Sequence, residues 1–338
     1  MDFEFTDEQL ALRDLARDLF EKESPPTRLR ELWEGAARDE AVWRTMGEAG
    51  LLGVTVPADF GGVGGDDVDL ALVLEEAGRA ALPEPLLETV AVGAPLLAAA
   101  GTREQKAEWL PRIASGDALI AVQLGGAPFA ADADLAGLLL CEQDGELHAV
   151  PKGSFAVRPV VSEDRARRLF AVSATCSAAT RMDGDAAAGE RAFLRGAVAA
   201  AGVLNGVAQK LLEMTIAHVK ARLQFGRPVG SFQAVKHKLA DAHVAVASAR
   251  AATWYAAYAL ASSLEDASVA ASAAKAYASD AEALANAAAL QCHAGIGFTW
   301  EHDLHLWLKR GKALEQAWGS AREHRERIAA SMFGGTRG

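Results

Sequence analysis

Two stretches of helical periodicity, separated by one short break, constrain this chain more than any other feature. Apolar residues recur at Leu194, Val198, Ala201, Val207, Leu211, Ile216 and Val219, stop at Gly226-Arg227-Pro228, and resume past Phe232 at Val235, Leu239, Ala242 and Val246. Recurrence near the helical period places each set on one helix face, and the Gly/Pro break ends the first helix before the second begins. The pattern dictates a long helical hairpin with a basic, glycine-bearing turn. A chain of 338 residues that is 51% apolar buries a substantial core around such a hairpin, as two domains or as one domain with an insertion.

A net charge of -11 and a pI near 5.3 argue against nucleic acid or an anionic membrane as partner. The acidic start, Met-Asp-Phe-Glu-Phe-Thr-Asp-Glu, has no apolar core of a signal peptide, and no apolar run is long enough to span a bilayer. The expected location is the cytoplasm. Cys141, Cys176 and Cys292 lie far apart in sequence without metal-ligand spacing and read as reduced packing residues.

In the turn, Arg222, Gln224, Phe225 and Gly226 are followed in the next helix by Gln233-Ala-Val-Lys-His. Arg, Gln and backbone donors so placed could surround a phosphate; equally, they could form a solvated charged loop. The stretch resembles the signature of the acyl-CoA dehydrogenase family, flavoproteins with an Arg-x-x-Phe-Gly turn and a following Gln. In that family the arginine and glutamine reach across a dimer interface to the pyrophosphate and adenosine half of a neighbour's FAD. A second element of the family, Gln-x-x-Gly-Gly-x-Gly-Phe, also meets that neighbour's adenosine. It reads here Gln291-Cys-His-Ala294-Gly295-Ile-Gly297-Phe298, with Ala for the first glycine. Small residues allow close approach of backbone to a ligand, and one methyl need not prevent it; alternatively Gly295 and Gly297 cap a helix.

The remaining order agrees with that family's architecture. A Thr6/Gln9 capping box opens a helix ending before Pro25-Pro26, and helices follow over 40–48, 69–79, 88–100 and, behind a Thr102/Gln105 box, 103–113. The run from Gly50 to Gly62 also matches the family, and Gly61 to Gly65 is a loop rather than a phosphate cradle, since no Lys-Ser/Thr follows. From Ala118 the pattern changes to short strands over 118–123, 137–142, 146–150, 155–161 and 169–173, with Asp144-Gly145 as a hairpin turn. A low-complexity linker, 174–189, leads to helices that include 268–292, 303–317 and 320–332. The expected fold is mainly α with a small β domain: an N-terminal helical domain (1–117), a shortened middle β domain (118–188) and a C-terminal four-helix-type domain (189–338).

The family's reaction takes a proton from the carbon α to a thioester and passes a hydride from the β carbon to flavin. It needs a carboxylate base and a cradle for the flavin ring. The family's ring-holding Thr-Glu-Pro-x-x-Gly-Ser-Asp is replaced here by Ala121-Val-Gln-Leu-Gly125-Gly-Ala-Pro128. Its base position before a C-terminal Gly-Ser falls on Trp318, and the alternative position at the start of the long helix falls on Gly196; neither can take a proton. Glu315, one turn before Trp318 and on its face, and Glu190, ahead of the long helix, are substitute candidates, each more simply a surface charge. His302 and His305, with Glu301 and Asp303, could suggest metal. No third ligand follows at suitable spacing, and relatives have a similar Trp-Glu-His-Asp run without metal, so none is expected. Trp254, Tyr255 and Tyr258 read as helix packing.

Retention of residues offered to a neighbour, with loss of the chain's own cradle and base, resembles one subunit of an actinobacterial heteromeric α2β2 acyl-CoA dehydrogenase. Many of these act on CoA thioesters of steroid side chains. The resemblance implies that Arg222, Gln224, Phe225, Gln233, Gln291 and Gly295 complete the FAD site of a homologous catalytic subunit, which supplies the base and binds most of the acyl-CoA. Catalytic and metal residues are expected to be absent from this chain. A self-sufficient homotetramer with a relocated carboxylate, and a flavin-free scaffold, are the alternatives.

Overall fold

The computed structural model describes residues 4–334; the first three residues of the acidic start lie outside the described range. Six α-helices come first: α1 (Asp7–Glu23), α2 (Pro26–Trp33), α3 (Glu40–Glu48), α4 (Asp67–Arg79), α5 (Ala94–Ala100) and α6 (Arg103–Ser115). Thr6 and Thr102 close their capping boxes as the sequence predicts, each hydroxyl accepting the backbone N–H three residues on. The first helix ends at Glu23, before Pro25-Pro26 as expected, and Pro26 then occupies the first position of α2, where its missing N–H costs nothing. The helix expected from Glu88 is a π-helical turn, Leu87–Gly93, that runs into α5.

The middle of the chain forms two three-stranded sheets. In one, β1 (Ile120–Gln123) pairs parallel with β3 (Leu138–Gln143), which pairs antiparallel with β4 (Glu146–Pro151) around Asp144-Gly145, both at positive φ. In the other, β6 (Leu169–Ala174) lies between β2 (Ala130–Ala131) and β5 (Phe155–Val160). Ala121, Leu139, Val150 and Phe170 fill the space between the sheets. Cys141 and Cys176, distant in sequence, come within 3.8 Å as free thiols, and burial pushes Cys141 up to about 12. The stretch 174–189 is more ordered in its pairing than a linker: the Ala149 N–H donates to the Thr180 carbonyl, the Met182 N–H donates to the Leu147 carbonyl, and Asp185 caps the next helix.

That helix, α7 (Ala186–Ala221), is 36 residues long and most of its first 30 are buried. It packs against α4, α8 (Gln233–Ala261), α9 (Ala267–His293) and α10 (Leu304–Gln316), with α11 (Ala321–Phe333) on α9. The approach of α4 to α7 is close enough to require glycine: a Cβ on Gly206 would lie 1.9 Å from the Glu75 carbonyl oxygen. Between α7 and α8 the expected basic turn is a miniature hairpin of β7 (Leu223–Gln224) and β8 (Arg227–Pro228), with Phe225 and Gly226 at its tip. No helix among the described residues is long and apolar enough to cross a membrane.

Three arginine–carboxylate pairs fasten the sheets to the helices. Arg38 meets Asp132 at 2.9 Å, Arg167 meets Glu88 at 2.9 Å, and the Arg310 guanidinium meets Asp164 while donating to the Leu82 carbonyl at 2.6 Å. Arg310 and Asp164 are both buried. Removing one member of such a pair strands the other charge, so Asp164→Ala is expected to lower unfolding free energy by about 3–5 kcal/mol. Urea denaturation checks this, and Asp164→Ala combined with Arg310→Met is expected to lose less than the single Asp164 substitution.

Candidate functional site

The six residues expected to face a neighbour's cofactor lie at one end of the helical bundle, and all are exposed. Arg222 terminates α7, with its N–H donating to the His218 carbonyl at 2.9 Å. Gln224 and Phe225 ride on the hairpin, Phe225 at a φ of 51° and 91% exposed. Arg227 stacks on Phe232, 4.2 Å from its ring centre, which braces the hairpin against the start of α8, where Gln233 sits. Gln291 and Gly295 flank the end of α9. His293 from that end stacks on His218 from the end of α7, ring centres 4.3 Å apart, so the two sequence motifs are joined through packed imidazoles.

The turn after α9 differs from expectation in one respect. The left-handed residue that ends the helix is Ala294, at φ 52° and ψ -137°, and not Gly295. That backbone region suits glycine almost alone, so the alanine keeps a glycine conformation under strain. A Cβ on Gly295 would meet nothing within 4 Å of this chain.

The interior is closed where the exterior is open. Trp318 and Gly196, the two positions singled out in the sequence as possible places of a base, are brought together: a Cβ on Gly196 would lie 2.2 Å from the Trp318 ring. The indole therefore fills the space over α7 at Gly196. Phe193, one turn earlier on α7, packs on Trp318 at 6.3 Å and on His324 at 5.9 Å, and it also covers Gly125 of the cradle loop, where a Cβ would meet its ring at 2.7 Å. Lys275, fully buried on α9, anchors this plug by donating to the carbonyls of Glu315 (3.0 Å) and Gly319 (2.9 Å), on either side of Trp318. Burial lowers the Lys275 ammonium to about 8 and, opposed by the bond to the Trp318 carbonyl, the His324 imidazole to about 4.

Neither substitute carboxylate reaches this space. The expectation that Glu315 shares a helix face with Trp318 fails because α10 ends at Gln316 and Trp318 turns back at φ 58°. Glu315 instead binds Lys312 at 2.7 Å and lies against Glu282, whose carboxyl is raised to about 8, first by burial and then by that hydrogen bond. Glu190 is paired with Arg327 at the surface. The proposed histidine pair also separates: His305 is buried against Trp33 and Trp300, whereas His302 turns to His293, 4.8 Å between ring centres.

Residues 6–117 match the family described as acyl-CoA dehydrogenase, N-terminal domain, and residues 183–333 match acyl-CoA dehydrogenase, C-terminal domain. The chain belongs to the acyl-CoA dehydrogenase family. It is 35% identical over 330 residues to acyl-CoA dehydrogenase IpdE2 of Mycolicibacterium smegmatis, covering 97% of this chain and all of that one. The corresponding protein of Mycobacterium tuberculosis is 34% identical, covering 97% and 98%. Among solved structures, the ChsE4-ChsE5 complex from Mycobacterium tuberculosis superposes with a TM-score of 0.89 at 25% identity, covering 98% of this chain and 99% of that one. A Tcur3481-Tcur3483 steroid acyl-CoA dehydrogenase variant superposes with a TM-score of 0.88 at 27% identity, with the same coverage.

Against the flavin of this family the two regions test differently. The exposed end offers a guanidinium, three carboxamides and an unobstructed backbone, a donor set that fits a pyrophosphate and adenosine. In the interior, Phe193 lies against Gly125 and Trp318 against Gly196, where a Cβ would stand 2.7 Å and 2.2 Å from the respective rings. The sequence missed Phe193, Lys275 and His324; a lysine inside an alanine-rich helix was the one available signal.

If the indole and Gly196 are in contact as described, Gly196→Ala destabilises by about 1–3 kcal/mol by overpacking, and it does so far less when Trp318 is already Ala. A double-mutant cycle in urea reads that coupling. Ala294→Gly relieves the strained turn and is expected to stabilise by about 1 kcal/mol, read in the same assay.

Proposed function

We propose that this chain is the non-catalytic subunit of a heteromeric, FAD-dependent acyl-CoA dehydrogenase. In this reading it pairs with a homologous subunit as an α2β2 tetramer, and Arg222, Gln224, Phe225, Gln233, Gln291 and Gly295 hold the pyrophosphate and adenosine end of the partner's FAD. The partner supplies the ring site, most of the acyl-CoA contacts and the base that takes the α proton. The observation that carries the reading is the placement of Trp318 on Gly196: the space between both known base positions is occupied by this chain's own indole. The assembly of ChsE4 with ChsE5 and of Tcur3481 with Tcur3483 supports a pairing of unlike subunits, and the steroid designation of the latter supports a steroid side-chain CoA thioester as substrate class.

Bound FAD supplies the hydride acceptor; this chain's part is to orient it. The Arg222 guanidinium neutralises phosphate charge, while Gln233 and Gln291 offer carboxamides to the nucleotide's polar edges. In this reading the partner makes the ring contacts that the middle β domain of this chain, residues 118–188, does not.

Expression of the chain alone and with a homologous catalytic subunit tests the reading through flavin absorbance per chain. The expected result is none alone and about one FAD per unlike pair. Arg222→Ala and Gln233→Ala are each expected to weaken FAD retention by about tenfold or more, the loss of a charge-assisted hydrogen bond or of a buried polar partner, while leaving the pair associated in gel filtration. Yellow, active protein from the single chain overturns the proposal in favour of a relocated base, and a colourless pair overturns it in favour of a scaffold.

A further inference from the structure

We propose that His218, His293 and His302 form a binding site for one divalent transition-metal ion of the zinc type. One nitrogen from each imidazole can be chosen so that all three lie within 4.8 Å of one another. Around a tetrahedral zinc at about 2.0–2.1 Å from each nitrogen, ligand atoms stand about 3.3 Å apart, so modest side-chain rotation closes the set. The third ligand comes from α7, far upstream of the other two, which is why His302 and its sequence neighbours suggest no complete set.

The second observation is the state of His293. It is 3% exposed, its Nδ1–H donates to the Ala289 carbonyl at 2.8 Å, and its Nε2 has no hydrogen-bond partner. An imidazole oriented by a backbone carbonyl with its other lone pair free inside a cluster is how metal-ligating histidines are arranged. A buried lone pair facing two further imidazoles is costly unless a proton or a metal meets it.

Three features oppose the ion. The rings of His218 and His293 are stacked 26° from parallel, so one must turn for both lone pairs to meet one ion. Nδ1 of His302 accepts the Leu304 N–H at 3.1 Å, and ligation through Nε2 puts the ring proton on Nδ1 and gives up that part-buried bond. Arg222 lies near enough to depress His218, but it is exposed, so solvent screens its repulsion of a cation. A bound ion would fix the end of α7, four residues before Arg222, to the end of α9, two residues before Gly295. The inference is independent of the flavin reading, because metal uptake is measured on the chain itself.

The full chain, prepared without a polyhistidine tag and stripped with chelator, is loaded with Zn²⁺ and, separately, with Co²⁺ as an optical probe. One Zn²⁺ retained per chain, a visible Co²⁺ spectrum of imidazole ligation and a metal-dependent rise in Tm are expected. His218→Gln and His302→Gln are each expected to weaken uptake at least tenfold and abolish the rise, with the metal-free Tm near that of the parent. His237→Gln and His243→Gln, on the exposed face of α8, are expected to change neither. Uptake that is substoichiometric, or that is unaffected by His218→Gln and His302→Gln, overturns the proposal.

Discussion

The architecture depends on how one buried cation, Arg310, is satisfied. Its guanidinium reaches Asp164 in the loop between β5 and β6 and the Leu82 carbonyl after α4. One side chain on α10 thereby fixes the β sheets, the N-terminal helices and the C-terminal bundle to one another. A buried ion pair is rarely worth more than well-packed hydrocarbon, but it fixes register because no other arrangement leaves both charges paired. Arg38–Asp132 and Arg167–Glu88 repeat the device at the same seam. The cost is visible in Asp132, whose carboxyl burial pushes up to about 6 in spite of its arginine.

Once α10 is fixed, the path of the chain beyond it follows. The helix ends at Gln316 and two of the carbonyls left near its end are met by Lys275, a lysine that tolerates full burial because it has three acceptors: Ser279, Glu315 and Gly319. The turn so held carries Trp318 onto Gly196. The same lysine that satisfies a helix end therefore also sets the plug. A carboxylate at position 318 would sit against Phe193 and the buried His324, where burial disfavours its charged form. Phe193 lies against both Trp318 and Gly125, so the packing at the two places is coupled.

The legible parts of the fold were those decided within a few residues. Thr6 with Gln9, Thr102 with Gln105, and Asp144-Gly145 each specify a local geometry that the rest of the chain accepts. Pro26 was readable only as punctuation, because proline marks a helix start and a helix break with the same residue. The site was legible as two halves: the sequence named Trp318 and Gly196 separately, and Arg222 and Gln291 separately. What it could not give was that Trp318 lies on Gly196, or that His218 stacked on His293 joins the two exposed motifs. Contacts such as His218 with His293, or Arg310 with Asp164, are set by the crossing of long helices, and no spacing rule reports them.

The two ends of the bundle differ in what they ask of neighbouring atoms. Around Trp318, every small residue has a stated reason within the chain, since a methyl at Gly196 or Gly125 would collide with an aromatic ring. At the other end the reasons are missing: Gly295 faces open space, Phe225 is held exposed in a strained conformation, and Ala294 retains a backbone that only glycine adopts freely. Strain persists only where surrounding structure or a ligand over-determines it. Within the subunit Phe225 meets Phe232 edge-on, ring centres 6.1 Å apart, while a Cβ at Gly295 would meet nothing within 4 Å. A surface so open leaves room for another body to approach, and a guanidinium with carboxamides beside it is a donor set that phosphates and the polar edges of a base accept.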